Sequence, residues 1–273
     1  MTRLTTTDIQ HIPRTMKKYD EELRKKTGCS LIEIAEHAAG SDGSIEKIVR
    51  KTKAAVVPIT AGKGVIKGFS EAVAAILNHI GIKAVITQGA DIVGMAEAFE
   101  KDADLIFAAD DDKFVAINLT TRRVVDNGAA TAKAYVAALD RMAKGLKARP
   151  VLVIGVGNVG SEAVANLIAR KAKPLVVDVD RRKLISLRKK FKDQITVFHT
   201  VAEAMPHTDL VINCAPAANI LKADMISENT LISAPAIPLG LTKAAMKKIS
   251  WQNLVHDPLQ LGVATMAVEA CAT

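Results

Sequence analysis

Two kinds of hydrophobic run alternate along this chain. Short β-branched apolar runs predict buried strands, and longer runs with apolar residues every three or four positions predict helices between them. In the first half, this pattern gives helices over residues 5 to 39 and at 68–79 and 91–100, and strands at 54–59, 84–87, 105–109 and 114–118. Such alternation is typical of an α/β domain, and we expect its sheet to be of parallel character.

The second half repeats the alternation more regularly. A long Ala-rich helix at 131–147 leads into it, and Gly145 and Pro150 mark the end of that helix. Strands are then predicted at 151–154, 175–178, 195–198, 210–214, 230–233 and 253–255. Six strands joined by helices match a doubly wound parallel sheet.

One turn between a strand and a helix carries a chemical signature. The stretch VLVIGVGNVG, residues 151–160, places Gly155, Gly157 and Gly160 at the G-x-G-x-x-G spacing. The first glycine allows the tight turn, the second lets backbone approach a pyrophosphate, and the third lets the helix pack closely on the strand. The phosphates would lie at the helix N-terminus, where free N–H groups favour an anion.

The next strand of this half ends in Asp178. This is close to the spacing of about 20 residues at which a carboxylate accepts bonds from the adenosine ribose. The carboxylate would repel a 2′-phosphate, which favours NAD over NADP. Arg181 and Arg182 follow it and could clamp such a phosphate, so NADP stays an alternative, although a solvated first helical turn is their more ordinary role.

Small residues and prolines end the later strands, in NCAPAAN at 213–219 and SAPAIP at 233–238. They leave room for a nicotinamide ring. Cys214 is interpreted as a small buried residue and not as a nucleophile, because no histidine pattern points to it. The predicted cofactor-binding residues are Gly155, Gly157, Asn158, Val159, Gly160, Asp178, Val179, Cys214, Ala215, Pro216, Ala234 and Pro235.

These elements predict an α/β protein of four parts. N-terminal helices and a small α/β substrate domain occupy residues 1–130, and a bridging helix occupies 131–148. A Rossmann domain, a doubly wound parallel sheet that binds NAD, spans 149–258. A C-terminal helix at 259–273 is expected to return and pack on the first domain.

Composition argues against several other classes of protein. The 273 residues are 49% hydrophobic and 24% charged, and we see no apolar window or leader that would indicate a membrane segment, so we expect a cytoplasmic protein. Three scattered cysteines and six histidines without metal-ligand spacing predict no metal site. The net charge of +8 is interpreted as a solvated surface, because only 3% of residues are aromatic and no platform for stacking nucleic-acid bases is visible.

Two loops of the first domain differ from ordinary turns. TAGKGVIKGFSE follows the strand at 54–59, and AADDDKF at 108–114 follows another buried strand. Carboxylates at the C-terminal end of a parallel strand lie where α/β proteins bind ligands, and they could hold a cationic amine. A flexible loop and a solvated polar turn are the plainer interpretations of these two stretches.

Several stretches together resemble the pyrrolysine synthase (PylD) family, over nearly the whole chain. They are VPITAGKGVIKGFSEAV, FAADDDKFVAINL, VLVIGVGNVG, INCAPAANI, ISAPAIP and HDPLQLGVATM. The resemblance implies NAD-dependent oxidation of the terminal amine of L-lysine-Nε-(3R)-methyl-D-ornithine to an imine. Hydrolysis to a semialdehyde with release of ammonia, and cyclisation to pyrrolysine, would follow. It also implies a homodimer.

The resemblance further implies roles for single residues. Asp110 would be the catalytic residue that holds the reacting amine. The implied substrate-binding residues are Leu4, Thr60, Ala61, Phe69, Asp110 and Asp257. Two of them depart from the family pattern, which has serine at the position of Ala61 and glutamate at that of Asp257. A proton acceptor is not assigned: Asp111 and His256 are candidates by side-chain chemistry.

Two other functions fit the same sequence. One is another NAD(P)-dependent amino-acid or opine dehydrogenase, which predicts turnover of simple amino acids. The other is a non-catalytic NAD-binding sensor, which predicts dinucleotide binding without turnover. The acid cluster beginning at Asp110 distinguishes them, because only an enzyme of amines needs its charge.

Overall fold

The computed structural model describes residues 4–41 and 45–272. These residues form two compact units. Unit 1 contains the described residues up to Arg24, those from Cys29 to Ala134, and those from Pro258 onward. Unit 2 contains Lys25–Gly28 and Tyr135–Asp257. Both units are α/β, which confirms the predicted fold class.

The first helices and strands alternate as the sequence predicts. The helices are α1 (Thr6–Ile9), α2 (Ile12–Thr27), α3 (Leu31–Ala39), α4 (Ile45–Val49), α5 (Phe69–His79), α6 (Asp91–Glu100) and α7 (Asn127–Met142). The strands are β1 (Lys53–Val57), β2 (Lys83–Ile86), β3 (Leu105–Ala109), β4 (Phe114–Asn118) and β5 (Val124–Asp126).

The sheet of unit 1 is mixed, in the order β2-β1-β3-β4-β5. Its first three strands are parallel, but β4 and β5 pair antiparallel, so the prediction of a parallel sheet is wrong for these two strands. Only residues 110–113 connect β3 to β4. A parallel crossover needs about a dozen residues or more, so the chain must turn back as a hairpin.

Helix α7 begins and ends about four residues before the predicted helix at 131–147. At its start, the Asp126 carboxylate accepts backbone N–H bonds of 2.8 and 3.2 Å from the first turn. At its end, Gly145 has φ 115° and donates its N–H to the Asp140 carbonyl at 2.9 Å. The cap and the glycine therefore set the bounds of this helix.

Unit 2 alternates strands and helices, except that its fourth strand is followed by its fifth with no helix among residues 214–230 between them. Its strands are β6 (Pro150–Ile154), β7 (Lys173–Val177), β8 (Thr196–Val197), β9 (Leu210–Asn213), β10 (Leu231–Ser233) and β11 (Leu254–Val255). Its helices are α8 (Asn158–Ala169), α9 (Arg181–Phe191), α10 (Val201–Ala204) and α11 (Lys243–Lys248). Short 3-10 turns lie at Lys192–Gln194, Met205–His207 and Trp251–Asn253.

All six strands of unit 2 are parallel, in the order β11-β10-β9-β6-β7-β8. Read from β8, this is the 3-2-1-4-5-6 order of a doubly wound sheet, which confirms the predicted Rossmann fold. Apolar side chains of β6 and β7, such as Leu152 and Val177, are buried in a core that also includes Ile232. The near-continuous apolar runs of these strands reflect burial on both faces.

The chain ends in α12 (Gln260–Cys271), which belongs to unit 1. Every residue of this helix is buried, and it packs against α3, α4, α5 and β4. A helix with apolar residues on every face needs such surroundings, and its one acid, Glu269, is paired with Lys133. Within the described part of the chain, none of the helices has the length and apolar character needed to cross a bilayer.

Candidate functional site

Two of the three motif glycines are required by the packing of unit 2 itself. Gly155 has φ 83°, and a Cβ there would lie 2.9 Å from the backbone of Ala215. A Cβ at Gly160 would overlap the Gly155 carbonyl oxygen. A Cβ at Gly157 would meet no atom within 4 Å. The turn is therefore tightly packed at Gly155 and Gly160, whereas Gly157, at the start of α8, faces open space.

The glycine turn lies where the strand order of unit 2 reverses. It follows β6, and the predicted cofactor residues Cys214, Ala215 and Pro216 follow the neighbouring strand β9. The close approach of Gly155 and Ala215 shows that these two strand ends meet. In doubly wound sheets, ligands bind at this reversal, outside the carboxyl ends of the strands.

Asp178 connects the end of β7 to the glycine turn. Its carboxylate accepts the Val156 N–H and the Asp180 N–H, each at 2.7 Å. Val179 projects fully into solvent between the two acids. Asp180 caps α9 and pairs with the Arg182 guanidinium at 3.2 Å. Arg182 is thus held by an acid of its own turn, as expected for a solvated first helical turn.

The residues at the end of β9 are held in place by burial and by hydrogen bonds. Desolvation raises the pKa of the Cys214 thiol to about 12, so the thiol stays protonated and is no nucleophile at neutral pH. Asn213, which the sequence did not single out, is buried and donates to the Leu239 carbonyl at 2.8 Å. Its Oδ1 accepts the Ala215 N–H at 3.2 Å. Asn213 therefore fixes the loop that carries three predicted cofactor residues.

Beyond β10 and β11, the chain places His256 next to Ala234. The distance from His256 Nδ1 to the Ala234 carbonyl oxygen is 2.7 Å. A carbonyl only accepts, so Nδ1 carries the proton of this bond. In the neutral ring, Nε2 is then the proton acceptor. Ala234 is buried and Pro235 is half-buried, so this strand end is compact.

Asp257 is 5% exposed and its backbone is held by Tyr135 of α7. The Tyr135 hydroxyl donates to the Asp257 carbonyl at 2.7 Å and accepts the Asp257 N–H at 3.0 Å. The sequence analysis missed Tyr135. Its signal was the one tyrosine within the Ala-rich helix TAKAYVAAL, because a buried tyrosine hydroxyl needs partners.

In unit 1, the two unusual loops meet at the carboxyl ends of β1 and β3. The Lys63 N–H donates to the Asp111 carboxylate at 2.7 Å. Gly62, at φ 67°, lies so close to the same carboxylate that a Cβ would overlap it. Asp111 thus joins the loops. The bond from Lys63 occupies one carboxylate oxygen of Asp111, which was a candidate proton acceptor.

Asp110 forms the turn between β3 and β4. Its Oδ1 accepts the N–H groups of Lys113 at 2.7 Å and Asp112 at 2.8 Å. These bonds, that from Lys113 first, hold the pKa of the Asp110 carboxyl below its ordinary value. The side chain is exposed, so an ionised carboxylate is accessible to a cation at neutral pH.

Thr60 is held by Asp91, a residue the sequence analysis did not identify. Asp91 accepts the Thr60 N–H at 2.8 Å and also the Thr60 hydroxyl, and it donates its own N–H to the Pro58 carbonyl at 2.9 Å. Asp91 follows β2, the strand parallel to β1. It could have been found by the same reasoning as the acid loop, residues 110–113, because it is a carboxylate after a predicted parallel strand. Ala61, which follows Thr60 in the chain, is exposed.

Phe69 begins α5 and packs edge-on against Phe114, with ring centroids 5.2 Å apart. Phe114 directly follows the acid loop, so Phe69 lies beside it. Leu4 is half-buried just before α1, which contacts α5. The structure thus groups Thr60, Phe69 and Asp110 within unit 1, and it places Asp257 in unit 2.

Across residues 4–41 and 45–272, no group of three or more His, Cys, Asp or Glu is arranged to hold a metal ion.

Comparison with known proteins shows what the chain is similar to. Residues 8–125 match the family described as pyrrolysine biosynthesis protein PylD, N-terminal domain. Over 266 residues, the chain is 28% identical to pyrrolysine synthase of Methanosarcina acetivorans, covering 97% of this chain and 98% of that protein. The pyrrolysine synthase of Methanosarcina barkeri is 27% identical, with 97% of each chain covered. Residues 8–125 thus carry a PylD N-terminal domain, and nearly the whole chain is similar to two pyrrolysine synthases. The resemblance seen in the sequence is thereby confirmed.

The second half of the chain matches a further family. Residues 137–235 match shikimate / quinate 5-dehydrogenase. Shikimate dehydrogenase from Aquifex aeolicus has a TM-score of 0.55 at 17% identity, covering 81% of this chain and 91% of that one. Quinate dehydrogenase from Corynebacterium glutamicum, solved in complex with NAD, has a TM-score of 0.55 at 12% identity, covering 81% and 93%. Identities this low establish a dehydrogenase-type fold and nothing finer.

Proposed function

We propose that this protein is an NAD-dependent pyrrolysine synthase. It would oxidise the terminal amine of L-lysine-Nε-(3R)-methyl-D-ornithine. One observation carries the proposal: the same chain contains a PylD N-terminal domain, with its ionised acid loop, and a glycine turn of the kind that binds dinucleotides. The resemblance to two pyrrolysine synthases over nearly the full chain supports the substrate.

The residues of unit 2 fit a dinucleotide. The open space at Gly157, in front of the first turn of α8, suits a pyrophosphate, and Asp178 at the end of β7 suits a ribose hydroxyl. The ends of β9 and β10, from Cys214 to Pro216 and at Ala234, would adjoin the nicotinamide. When bound, NAD⁺ supplies the acceptor for the hydride.

In unit 1, Asp110 would bind the terminal ammonium of the substrate. An exposed carboxylate held ionised by backbone N–H groups attracts a cation, and holding that cation orients the carbon from which the hydride leaves. Phe69 and Phe114 provide an apolar wall beside it. Thr60, fixed by Asp91, and the neighbouring Ala61 would contact the rest of the substrate.

In the proposed reaction, water reacts with the oxidised substrate. The amine gives up a proton and its carbon gives up a hydride, which leaves an imine on the substrate. Water adds to the imine and ammonia leaves, giving the semialdehyde. The ornithyl α-amine then attacks the carbonyl and water leaves, which closes the pyrroline ring. Of the two candidate proton acceptors, His256 fits better, because its Nδ1 bond leaves Nε2 as the acceptor whereas Asp111 holds Lys63.

The direct test is incubation with NAD⁺ and L-lysine-Nε-(3R)-methyl-D-ornithine, following NADH by absorbance and the product by mass spectrometry. The expected result is NADH formation with a product of the mass of pyrrolysine and release of ammonia. Free L-lysine and D-ornithine serve as comparison substrates. Turnover of these alone would support an amino-acid dehydrogenase, and NAD binding without any turnover would support a sensor.

Replacing Asp178 with asparagine tests the choice of cofactor. Loss of the charge removes repulsion of a 2′-phosphate and weakens the ribose contact, so the ratio of NAD to NADP affinity should fall about 10-fold or more. The amide oxygen can accept only one of the two backbone N–H groups that Asp178 holds, but the lost bond affects both cofactors alike, so the ratio still reports the charge. Calorimetric titration with both cofactors measures the ratio. Asp193→Asn, at an exposed acid after α9, is the matched control, and an unchanged ratio in Asp178→Asn would exclude the ribose role.

A further inference from the structure

Tyr135 makes an unusual pair of hydrogen bonds within unit 2. It is 1% exposed, and its hydroxyl bonds both backbone groups of one residue, Asp257. The Tyr135 carbonyl in turn accepts the Ser233 hydroxyl at 2.8 Å, at the end of β10. The tyrosine is therefore fixed to the sheet through its backbone, and it fixes Asp257 through its side chain.

The hydroxyl can make both bonds because it is protonated. Burial, followed by the charge of Asp257, raises the pKa of the Tyr135 phenol well above its ordinary value. The proton lies in the bond to the Asp257 carbonyl, and an oxygen lone pair accepts the Asp257 N–H. Without the hydroxyl, a residue only 5% exposed would lose two backbone hydrogen bonds.

The two bonds restrain the residue that carries the carboxylate. Aspartate has a single methylene between Cα and its carboxyl group, so the position of the carboxylate follows closely from that of the backbone. Asp257 comes two residues after β11 ends and is the last residue of unit 2. Tyr135 thus holds the backbone of Asp257 beyond the end of the strand.

We propose that Tyr135 is a positioning residue that sets the Asp257 carboxylate for substrate binding. The inference rests on the proposed function and on the substrate-binding role that the family resemblance implies for Asp257. It assigns Tyr135 no contact with substrate or cofactor. Its effect on catalysis passes through Asp257 alone.

The test is Tyr135→Phe in the full chain, with Tyr19→Phe, at the other tyrosine of the sequence, as the matched control. In Tyr135→Phe, we expect KM for L-lysine-Nε-(3R)-methyl-D-ornithine to rise and kcat/KM to fall about 10-fold or more, since small misplacements of binding groups are costly. The Kd of NAD should stay within about 2-fold, because the cofactor residues are untouched.

A double-mutant cycle separates positioning from a purely structural role. If Tyr135 acts through Asp257, adding Tyr135→Phe to Asp257→Ala should change kcat/KM less than about 2-fold. A fall in both backgrounds, or a fall in melting temperature with unchanged kcat/KM, would overturn the proposal. Failure of the wild-type protein to form NADH in the same assay would instead contradict the proposed function.

Amide hydrogen exchange decides the structural part without any substrate. In the wild-type protein, the Asp257 amide should be protected, and Tyr135→Phe should raise its exchange rate while Tyr19→Phe does not. An Asp257 amide that exchanges in the wild type as fast as an exposed one would overturn the proposal, even if Tyr135→Phe did not fold.

Discussion

Asp110→Asn is expected to lower kcat/KM for L-lysine-Nε-(3R)-methyl-D-ornithine by more than about 100-fold and to leave NAD affinity near that of the wild type. The negative charge that would bind and orient the substrate ammonium is lost, and nothing in unit 2 is altered. Steady-state kinetics with NADH absorbance measures the first quantity, and calorimetric titration with NAD⁺ measures the second.

The structure makes this substitution an unusually clean test of charge. Asp110 Oδ1 accepts two backbone N–H bonds that shape the turn between β3 and β4, and the amide oxygen of asparagine can accept the same bonds. The fold of the loop should therefore persist. Circular dichroism and melting temperature should match the wild type.

Asp112→Asn is the matched control. Asp112 is an exposed carboxylate in the same loop, two residues on, and it contributes its backbone N–H to the turn. Its neutralisation changes the net charge by the same amount and should alter kcat/KM less than about 3-fold, since exposed charges are screened by solvent. Near-normal turnover in Asp110→Asn would remove Asp110 from the active site. Equal losses in both variants would indicate only a general need for negative charge.

The fold of unit 2 could be predicted because its signals are local. Strands buried on both faces leave near-continuous apolar runs, and three glycines at fixed spacing mark the turn that packs against Ala215. In unit 1, the hairpin of β3 and β4 was also within reach of the sequence. The length of the connection at 110–113 decides its direction, whereas the apolar pattern alone does not.

The residues that the sequence analysis missed are those whose partners are distant in the chain. Asn213 bonds a carbonyl 26 residues away, Asp91 holds Thr60 from 31 residues away, and Tyr135 bonds Asp257 from 122 residues away. Each is polar and ordinary in its own segment. Only the pairing of strand ends in three dimensions reveals what it holds.

The same reasoning explains why the acid loop was recognised but its internal roles were not. Three consecutive carboxylates after a buried strand are conspicuous in sequence. Their division of labour depends on backbone geometry: Asp110 caps the turn, and Asp111 bonds Lys63 of another loop. A sequence pattern can locate such a cluster, but it cannot say which of its oxygens remain accessible to a ligand.

Gly157→Ala should weaken NAD binding about 10-fold or more and leave the melting temperature almost unchanged, because the second motif glycine is the one at which backbone approaches a pyrophosphate. A Cβ at Gly157 meets no protein atom within 4 Å, and its φ of −67° suits alanine. The added methyl group would therefore occupy space that only a ligand uses. Titration with NAD⁺ and thermal unfolding measure the two effects.

Gly155→Ala should have the opposite effect. It should reduce the stability of the fold, and this loss should be larger than any effect on NAD binding. Its φ of 83° costs an alanine about 1 kcal/mol, and contact with the Ala215 backbone at 2.9 Å adds an overpacking cost of about 1–3 kcal/mol. Gly40→Ala is the matched control for backbone strain, since Gly40 has φ 71° and no atom within 4 Å of an added Cβ.

If Gly157→Ala binds NAD as tightly as the wild type, the pyrophosphate does not lie at this turn, and the cofactor site must be sought elsewhere along the strand ends of unit 2.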